Sequence, residues 1–369
     1  MFYYGWKKKM INNFFIRKHL VYKMCNTIRR LLVAGYGRMG EIRCKDIFAN
    51  PRLQLAGLVE TNSKRKKQFV SDFGNWNIPM YNSIEEGIYA NKKIGLQKKQ
   101  KDLDGIWIAT NTENHVDSVL ASTPHKLTIG IEKPIATTEE QIERVYASAE
   151  KNKVQIMCSF QRRFDPSYRD LIKKVRNEKV LGKIRSIHAI FRDHPLPSID
   201  FLKTGGNIFY DLAVHDIDFI CHVLGEAPIQ VYAKGSSFRK ELKDIGVKEQ
   251  AVIMFMFPSG CLATLELSRS CAYGYDQRIE FHGEHGAICV TNPVLSNTTG
   301  SFSTGIRHDT IQYSFPQRYR EAYTIEMEHF LSIIDKKTTP QVTMEDCVRS
   351  IQIAEACSVS QEQGNPVSL

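Results

Sequence analysis

The chain has 369 residues, 42% of them hydrophobic and 24% charged, which is ordinary globular composition with room for two domains. No run approaches the roughly 18 apolar residues of a membrane-spanning helix, which excludes an integral membrane protein of that kind. The formal net charge is +10, but residues 1–30 contain eight Lys and Arg and no Asp or Glu, which leaves 42 basic and 40 acidic residues elsewhere. We therefore expect no nucleic-acid partner and no membrane partner for the folded body.

The basic N-terminal extension, residues 1–28, is set apart from the predicted fold and is expected to be disordered. It lacks the apolar stretch of 7–15 residues that a secretory signal needs. A start at Met24, an organelle transit peptide and an RNA-binding tail stay open as alternatives. The nine cysteines are scattered without a C-x-x-C pair, which argues against disulfides and zinc and predicts a reducing compartment, the cytoplasm.

The first half of the folded chain alternates short apolar runs with helical patterns. The predicted elements are strand Arg30–Ala34, helix Arg38–Asn50, strand Gln54–Glu60, helix Ser63–Phe73, strand Gly105–Thr110, strand Leu127–Ile131, helix Thr138–Lys151 and strand Val154–Phe160. This alternation predicts a doubly wound parallel sheet, a Rossmann domain over residues 29–155. The polar, Lys-rich segment 91–102 shows no periodicity and is predicted to be a mobile surface insertion.

The second half has a different rhythm, in which strands follow one another with short turns. The predicted elements are strands Ile184–Arg192, Ile229–Ser237, Gln250–Phe257, Cys261–Ser268, Gln277–Gly283 and Ala287–Thr291, and helices Ile208–Leu224, Glu321–Ile334 and Met344–Gln361. The turn at 258–260 is typical of a hairpin. These features predict an α+β domain over residues 156–369 with a large, mostly antiparallel sheet.

A G-x-G-x-x-G motif connects the first strand to the first helix. In it, Gly35 is expected to make the tight turn, Gly37 to let the backbone approach a pyrophosphate, and Gly40 to pack the helix on the strand. The free N–H groups of the helix N-terminus, at Arg38 and Met39, would bind the phosphates. A motif of this kind between a predicted strand and a predicted helix indicates that the domain binds a dinucleotide.

The end of the second strand carries an acidic residue, Glu60, 20 residues after Gly40. A carboxylate there would bind both ribose hydroxyls and repel a 2′-phosphate, so NAD is preferred and NADP is the alternative. The basic run 64–67 would bind that phosphate if the loop folded back, but such a run is more often a solvated helix face.

Two further groups of residues suggest proton and hydride chemistry. Lys133 follows a central strand, where it would stabilise a developing alkoxide or simply lie on a surface loop. Asp211 and His215 are spaced i and i+4 on a predicted helix, so the carboxylate could orient the imidazole as a general base. Asp216 and Asp218 are interpreted as structural, and no metal site is predicted because a typical ligand spacing is missing.

From about residue 28 onward the chain resembles the glucose–fructose oxidoreductase/inositol dehydrogenase (Gfo/Idh/MocA) superfamily. Segment 132–134 (Glu-Lys-Pro) and the D-x-x-x-H of Asp211 and His215 resemble its signatures, and 161–165 resembles the entry to its second domain. Segments 200–203, 205–206 and 273–276 resemble the inositol dehydrogenase branch.

The resemblance implies NAD-dependent oxidation of a ring secondary alcohol of a polyol, with myo-inositol and its 2-keto product as the first choice. It implies His215 as the base, Asp211 as its partner and Lys133 as the ligand of the reacting hydroxyl. Further implied contacts are Glu132, Thr110 and His115 to the cofactor and Arg192, His194 and Tyr275 to the substrate. Asn111 departs from the family pattern, which has Pro there. The family also implies a homo-oligomer, a dimer or tetramer.

Two other functions stay open. Another sugar or dihydrodiol oxidoreductase of the same superfamily would share all these motifs. A dinucleotide-sensing regulator without turnover would share the glycine-rich loop but has no need of Lys133 or His215.

Overall fold

The computed structural model describes residues 28–98, 102–205 and 207–369. The chain divides into two compact units. Unit 1 comprises the described residues up to Ile135, together with Arg144–Ser159 and Met327–Gln341. Unit 2 comprises Ala136–Glu143, Phe160–Glu326 and Val342–Leu369. Residues 1–27 of the predicted extension lie outside the described residues.

Unit 1 is built on a parallel sheet of six strands in the order β3-β2-β1-β4-β5-β6. The strands are β1 (Arg29–Ala34), β2 (Leu53–Val59), β3 (Met80–Tyr81), β4 (Gly105–Ile108), β5 (Thr128–Glu132) and β6 (Ile156–Ser159). The central strands are apolar and buried along almost their whole length, as parallel strands covered on both faces must be. The predicted Rossmann fold is confirmed.

Helices connect these strands along the first half of the chain. They are α1 (Arg38–Ala49), α2 (Ser63–Phe73), α3 (Ile84–Lys98), α4 (His115–Ser122) and α5 (Glu139–Asn152). Helix α1 ends at Ala49, because Pro51 disfavours helical backbone in the residue before it, and Asn50 is extended.

The prediction of a mobile insertion over residues 91–102 is wrong for its first part. Helix α3 continues to Lys98, because Ile84, Ile88 and Asn91 share one helix face and are buried. Asn91 is a core residue whose amide donates to the carbonyl oxygen of Gly87 at 2.9 Å and accepts from the guanidinium of Arg30 at 2.8 Å. Residues 99–101 lie outside the described part.

The predicted domain boundary at 155/156 also differs from the structure. β6 pairs in parallel with β5, so residues 156–159 complete the sheet of unit 1. Residues 327–341 return to the same unit, where the ring of Phe330 packs edge-on against Trp107 with centroids 5.0 Å apart.

Unit 2 contains a seven-stranded sheet in the order β12-β11-β7-β10-β9-β8-β15. The strands are β7 (Ile184–Arg192), β8 (Gln230–Ser236), β9 (Gln250–Met256), β10 (Leu262–Ser268), β11 (Asp276–Gly283), β12 (Gly286–Val290) and β15 (Val367–Ser368). Every described pair is antiparallel except β7 with β10. A hairpin turn joins β9 to β10, with Gly260 at a φ of 86°. The predicted α+β class is confirmed.

Several elements of the second half escaped prediction. Those not predicted are helices α6 (Pro166–Ile172), α7 (Ile199–Gly205), α9 (Lys240–Asp244) and α10 (Phe315–Arg318), strand β15, and a hairpin of β13 (Thr299–Phe302) and β14 (Gly305–His308). The predicted helices are present as α8 (Val214–Leu224), α11 (Arg320–Ile334) and α12 (Met344–Gln363). The predicted helix 208–224 is interrupted, because Phe209–Ala213 form a π-helical turn before α8. Across the described residues, no helix has the length and apolar character needed to cross a bilayer.

Candidate active site

In unit 1, the glycine-rich loop after β1 leaves no room for a side chain at two of its glycines. Gly35 has a φ of 90°, and a Cβ there would lie 2.6 Å from the carbonyl oxygen of Ala109. A Cβ on Gly40 would lie 2.0 Å from the carbonyl oxygen of Gly35. A Cβ on Gly37 would meet no described atom within 4 Å, so this backbone faces open space. A pyrophosphate needs such an open approach.

Helix α1 begins at the same loop. Gly37 is its N-cap and, having no side chain, leaves the N–H groups of the first turn to other acceptors. Arg38 is exposed and Met39 is half-buried. The N–H groups and the positive end of the helix dipole therefore suit an anion.

Glu60 follows β2 directly and lies beside the glycine-rich loop. The backbone N–H of Tyr36 donates to its Oε2 at 2.7 Å, and that of Asn62 donates to its Oε1 at 2.8 Å. Both bonds fix the carboxylate without using all its lone pairs. The geometry fits an acceptor for ribose hydroxyls.

The basic run 64–67 opens helix α2. The amide oxygen of Asn62 caps this helix by accepting from the N–H groups of Lys64 and Arg65. Three of the four basic side chains are exposed, and Lys66 donates to Oδ1 of Asn82 at 2.6 Å. The run lies on a solvated helix face.

His115 is buried between two backbone segments. Its Nδ1 lies 2.8 Å from the carbonyl oxygen of Pro134, and its Nε2 lies 3.1 Å from that of Thr110. Burial lowers the pKa of His115, which favours the neutral ring. A neutral imidazole has one N–H, so it donates to one of these two carbonyl oxygens, between the end of β4 and the turn after β5. The buried Oγ1 of Thr110 has no hydrogen-bond partner among the described residues, and Asn111 has a φ of −66°, the value proline would take.

Glu132 is buried at the end of β5 and bonded to two other buried side chains. Its Oε1 accepts from Nε of Arg43 at 2.8 Å and from the indole N–H of Trp107 at 2.9 Å. Arg43 also donates to Oγ of Ser159 at 2.7 Å, and its guanidinium lies 4.1 Å from the Trp107 ring centroid. This network connects α1, β4, β5 and β6.

Lys133 comes next in the chain and is half-buried. The register pairs Ala34 with Ile108 and Ile108 with Ile131, so β1, β4 and β5 end at the same edge of the sheet. Gly35, Thr110 and Lys133 therefore follow one edge, the carboxyl edge where ligands bind in open α/β sheets.

In unit 2, Asp211 and His215 are the two residues of segment 211–221 that are not buried. Asp211 lies in the π-helical turn rather than on a regular α-helix, so the predicted α-helical spacing to His215 does not apply. Its Oδ2 accepts from Nη1 of the fully buried Arg269 at 2.8 Å. The sequence prediction missed Arg269, although a charged residue directly after an apolar strand was a usable signal.

Aromatic rings surround the imidazole of His215. The ring centroids of Phe160 and Phe191 lie 6.2 and 6.3 Å from it, with interplanar angles of 86° and 72°. Tyr275, a predicted substrate contact, is buried and packs against Phe191 with centroids 5.4 Å apart. The structure thus brings Tyr275 near His215 through Phe191.

Arg192 points away from this group. Neighbouring side chains of a strand alternate between the two sheet faces, so Arg192 lies on the face opposite Phe191. Its Nε donates to Glu266 at 2.8 Å, and the guanidinium also bonds the Tyr273 hydroxyl. This position argues against the predicted substrate contact of Arg192.

His194 lies beyond the end of β7 and is half-buried. Its N–H donates to Oδ1 of Asp193 at 2.8 Å, and its ring packs edge-on against Tyr313 with centroids 4.6 Å apart. A role at the substrate stays a prediction.

Asp216 and Asp218 are buried and paired with arginines. Asp216 pairs with Arg162, and Asp218 accepts from Nε of Arg163 at 2.9 Å. Both carboxylates therefore have structural partners, as interpreted from the sequence. Among the described residues there is no group of three or more His, Cys, Asp or Glu that could hold a metal ion.

Comparisons with known proteins agree with this architecture. Residues 29–160 match a family described as "Oxidoreductase family, NAD-binding Rossmann fold", and residues 170–289 match "GFO/IDH/MocA C-terminal domain". A myo-inositol 2-dehydrogenase from Thermotoga maritima is 30% identical over 92% of this chain and 98% of its own length. A scyllo-inositol 2-dehydrogenase (NAD(+)) from Bacillus subtilis is 27% identical over 92% and 96%.

A solved structure of a putative myo-inositol dehydrogenase from Sinorhizobium meliloti superposes with a TM-score of 0.83 at 26% identity, covering 92% of this chain and 99% of that one. The open backbone at Gly37 and the buried hydroxyl of Thr110 fit the NAD that the family description names. The chain belongs to the GFO/IDH/MocA family and is an NAD-dependent oxidoreductase.

Proposed function

We propose that the protein oxidises a CH–OH group of a cyclic polyol to the ketone with NAD, with myo-inositol and its 2-keto product as the first candidate pair. The observation that carries this proposal is that Asp211 and His215 are the two half-buried residues of an otherwise buried segment, 211–221. The inositol dehydrogenases among its relatives support the substrate class.

Unit 1 would hold the cofactor through backbone N–H groups of the glycine-rich loop and through the carboxylate of Glu60. The loop Gly35–Gly40 would receive the pyrophosphate on the N–H groups of Arg38 and Met39, and Glu60 would accept the ribose hydroxyls. Thr110 would offer its hydroxyl to the nucleotide. When bound, NAD accepts a hydride from the carbinol carbon.

The proton is handled by side chains. His215 would take the hydroxyl proton as general base, because an imidazole titrates near working pH. Asp211, fixed by Arg269, would favour the charged imidazole by its negative charge. Lys133 would bind the hydroxyl oxygen and stabilise the negative charge that develops on it.

Glu132 and His115 would act through Lys133 rather than through the cofactor. Glu132 is bonded to Arg43 and Trp107, and His115 is bonded to the carbonyl oxygen of Pro134. These contacts fix the residues on both sides of Lys133. We therefore assign them a positioning role.

A homo-oligomer and a cytoplasmic location also belong to this proposal. Val252, Met254, Met256 and Leu262 are 41–48% exposed, and the register pairs Met256 with Leu262 across β9 and β10. A contiguous apolar patch of this kind is typical of a protein interface. The nine cysteines are scattered along the sequence without a C-x-x-C pair, which fits a reducing compartment. Sedimentation equilibrium would measure the number of subunits.

The direct test is an activity panel that reads NADH absorbance. Purified protein is mixed with NAD or NADP and with myo-inositol, scyllo-inositol, aldoses and a dihydrodiol, at several pH values. NADH formation with a cyclic polyol, with a rate limb near neutral pH, is the expected result. NAD binding without turnover of any alcohol would instead favour a dinucleotide-sensing regulator.

A further inference from the structure

Two backbone N–H groups hold the carboxylate of Glu60 in unit 1. Tyr36 of the glycine-rich loop donates to its Oε2 at 2.7 Å, and Asn62 donates to its Oε1 at 2.8 Å. A carboxylate has about four lone-pair sites, so about two remain, as many as the two hydroxyl groups of a ribose need. The direction in which these remaining sites point depends on what fixes the two donors.

Helix α2 fixes the first donor through the side chain of Tyr36, which is buried with 1% of its surface exposed. The ring packs edge-on against Phe69 and Phe73, whose centroids lie 5.0 and 6.5 Å from its own. The hydroxyl group donates to Oδ2 of Asp72 at 2.8 Å. These three residues share one face of the helix, because positions three and four apart are neighbours. One loop side chain is thus held at three points of a single helix.

The same helix fixes the second donor. Asn62 is the N-cap of α2, and its Oδ1 accepts from the N–H groups of Lys64 and Arg65 at 2.9 and 3.2 Å. Both donors to Glu60 are therefore attached to α2, one at its N-terminus and one along its face. The place of this one helix against the glycine-rich loop thus sets the direction of the carboxylate.

We propose that Tyr36 is a positioning residue for cofactor choice: by anchoring helix α2 to the glycine-rich loop, its side chain keeps the carboxylate of Glu60 directed at the ribose. This inference rests on the proposed function, in which Glu60 accepts the ribose hydroxyls, and adds to it a residue that acts through Glu60. Without the anchor the carboxylate would bind the hydroxyl groups less well and would also repel a 2′-phosphate less. The affinity for NAD should then fall more than the affinity for NADP.

Fluorescence titration of the protein with NAD and with NADP tests this choice without any substrate. Tyr36→Leu removes the ring contacts and the bond to Asp72, and it should narrow the ratio of the two Kd values by about tenfold, the lower end of the effect of one charge-assisted hydrogen bond. Tyr36→Phe keeps the ring and should keep most of the ratio, with a change of about two- to fivefold.

A pair of variants isolates the hydroxyl group of Tyr36. Asp72→Ala removes the same hydrogen bond from its exposed partner, so this variant keeps the test decisive even if Tyr36→Leu does not fold. Its effect on the ratio should equal that of Tyr36→Phe, and the double variant should show no further change, because both substitutions remove one interaction. Effects that add up in the double variant would show that the two residues do not act through this contact and would overturn the inference.

Ile88→Ala is the control for lost stability, because it truncates a buried side chain of the same unit on helix α3. It should lower the temperature of thermal unfolding and leave the ratio of the two Kd values unchanged. A folded Tyr36→Leu protein with the wild-type ratio would overturn the inference alone. If Glu60→Ala also kept the wild-type ratio, the proposed contact of Glu60 with the ribose would fail first, and the inference with it.

Discussion

The two units hold their candidate functional residues in different ways. In unit 1 the glycine-rich loop is six consecutive residues, and its function depends on backbone that a Cβ would block at Gly35 and Gly40 but not at Gly37. In unit 2 the side chains around the candidate residues come from separate segments of the chain: Phe160 and Phe191 lie near His215, and Arg269 bonds Asp211. A site made of local backbone leaves a motif in the sequence, whereas one made of distant side chains leaves none.

Both units also contain buried ion pairs close to their candidate residues. Unit 1 uses Arg43 and Glu132 to connect helix α1 to the end of β5, next to Lys133. Unit 2 buries two ion pairs, Asp216 with Arg162 and Asp218 with Arg163, in which both carboxylates lie on the helix that carries His215. Removing one partner of such a pair leaves an uncompensated charge, which costs far more than the pair contributes. In each unit the pairs therefore fix the geometry around its candidate functional residues.

The largest expected effects separate the chemistry from cofactor binding. His215→Ala or Lys133→Met should lower kcat by about 10²- to 10⁴-fold, because each removes a group that handles the proton or the developing charge. The affinity for NAD should stay near the wild-type value, measured by fluorescence titration. His308→Ala and Lys126→Met, at exposed positions, serve as controls. Turnover at the wild-type rate in either main variant would remove that residue from the mechanism.

The next test adds the same single carbon at two positions of the glycine-rich loop. Gly40→Ala should lower the free energy of unfolding by about 1–3 kcal/mol or more, since its Cβ would lie 2.0 Å from a backbone oxygen. Gly37→Ala should leave unfolding unchanged and weaken NAD binding on the order of 100-fold, as when a ligand is displaced by about 1 Å. Urea unfolding and calorimetric titration measure both. Equal losses of stability in the two variants would contradict the assigned roles.

A smaller effect is expected for cofactor choice. Glu60→Ala should reduce the preference for NAD over NADP by about 10- to 100-fold, because a charge-assisted hydrogen bond to the ribose and the repulsion of a 2′-phosphate are both lost. The ratio of the two kcat/KM values measures it, with the exposed Glu140→Ala as control. An unchanged ratio would show that Glu60 does not contact the ribose.

The smallest effect concerns the acid stability of unit 2. Burial, with the nearby charges of Arg163 and Arg176, lowers the pKa of His222 to about 3. The contribution of the neutral His222 ring to the free energy of unfolding is thus complete above about pH 6.5, the pKa of a histidine in the unfolded chain. It is lost as the pH falls toward 3, with a slope of at most about 1.4 kcal/mol per pH unit. His222→Gln should flatten the decline of the free energy of unfolding between pH 7 and 5.

Urea unfolding at the two pH values measures this slope. The exposed His285→Gln is the matched control and should leave it unchanged. A slope in His222→Gln as steep as in the wild type would contradict the assignment.

The sequence by itself determined the fold class and the local motif of unit 1. Strand and helix patterns are set by apolar spacing, and a glycine requirement is set by backbone sterics, so both are local properties of the chain. Residue spacing therefore predicted the parallel sheet, the turn at Gly35 and the position of Glu60 next to it. Even the missed continuation of helix α3 had a local signal, the shared face of Ile84, Ile88 and Asn91.

Only the tertiary structure decided which side chains surround each predicted residue. The ion pair of Asp211 with Arg269 and the bonds of Arg192 to Glu266 and Tyr273 depend on how distant segments pack. Packing is a property of contacts between residues far apart in the chain, and spacing along one segment carries no information about them. For the same reason Phe160 and Phe191 are ordinary apolar positions in the sequence, and only the tertiary structure brings their rings close to His215.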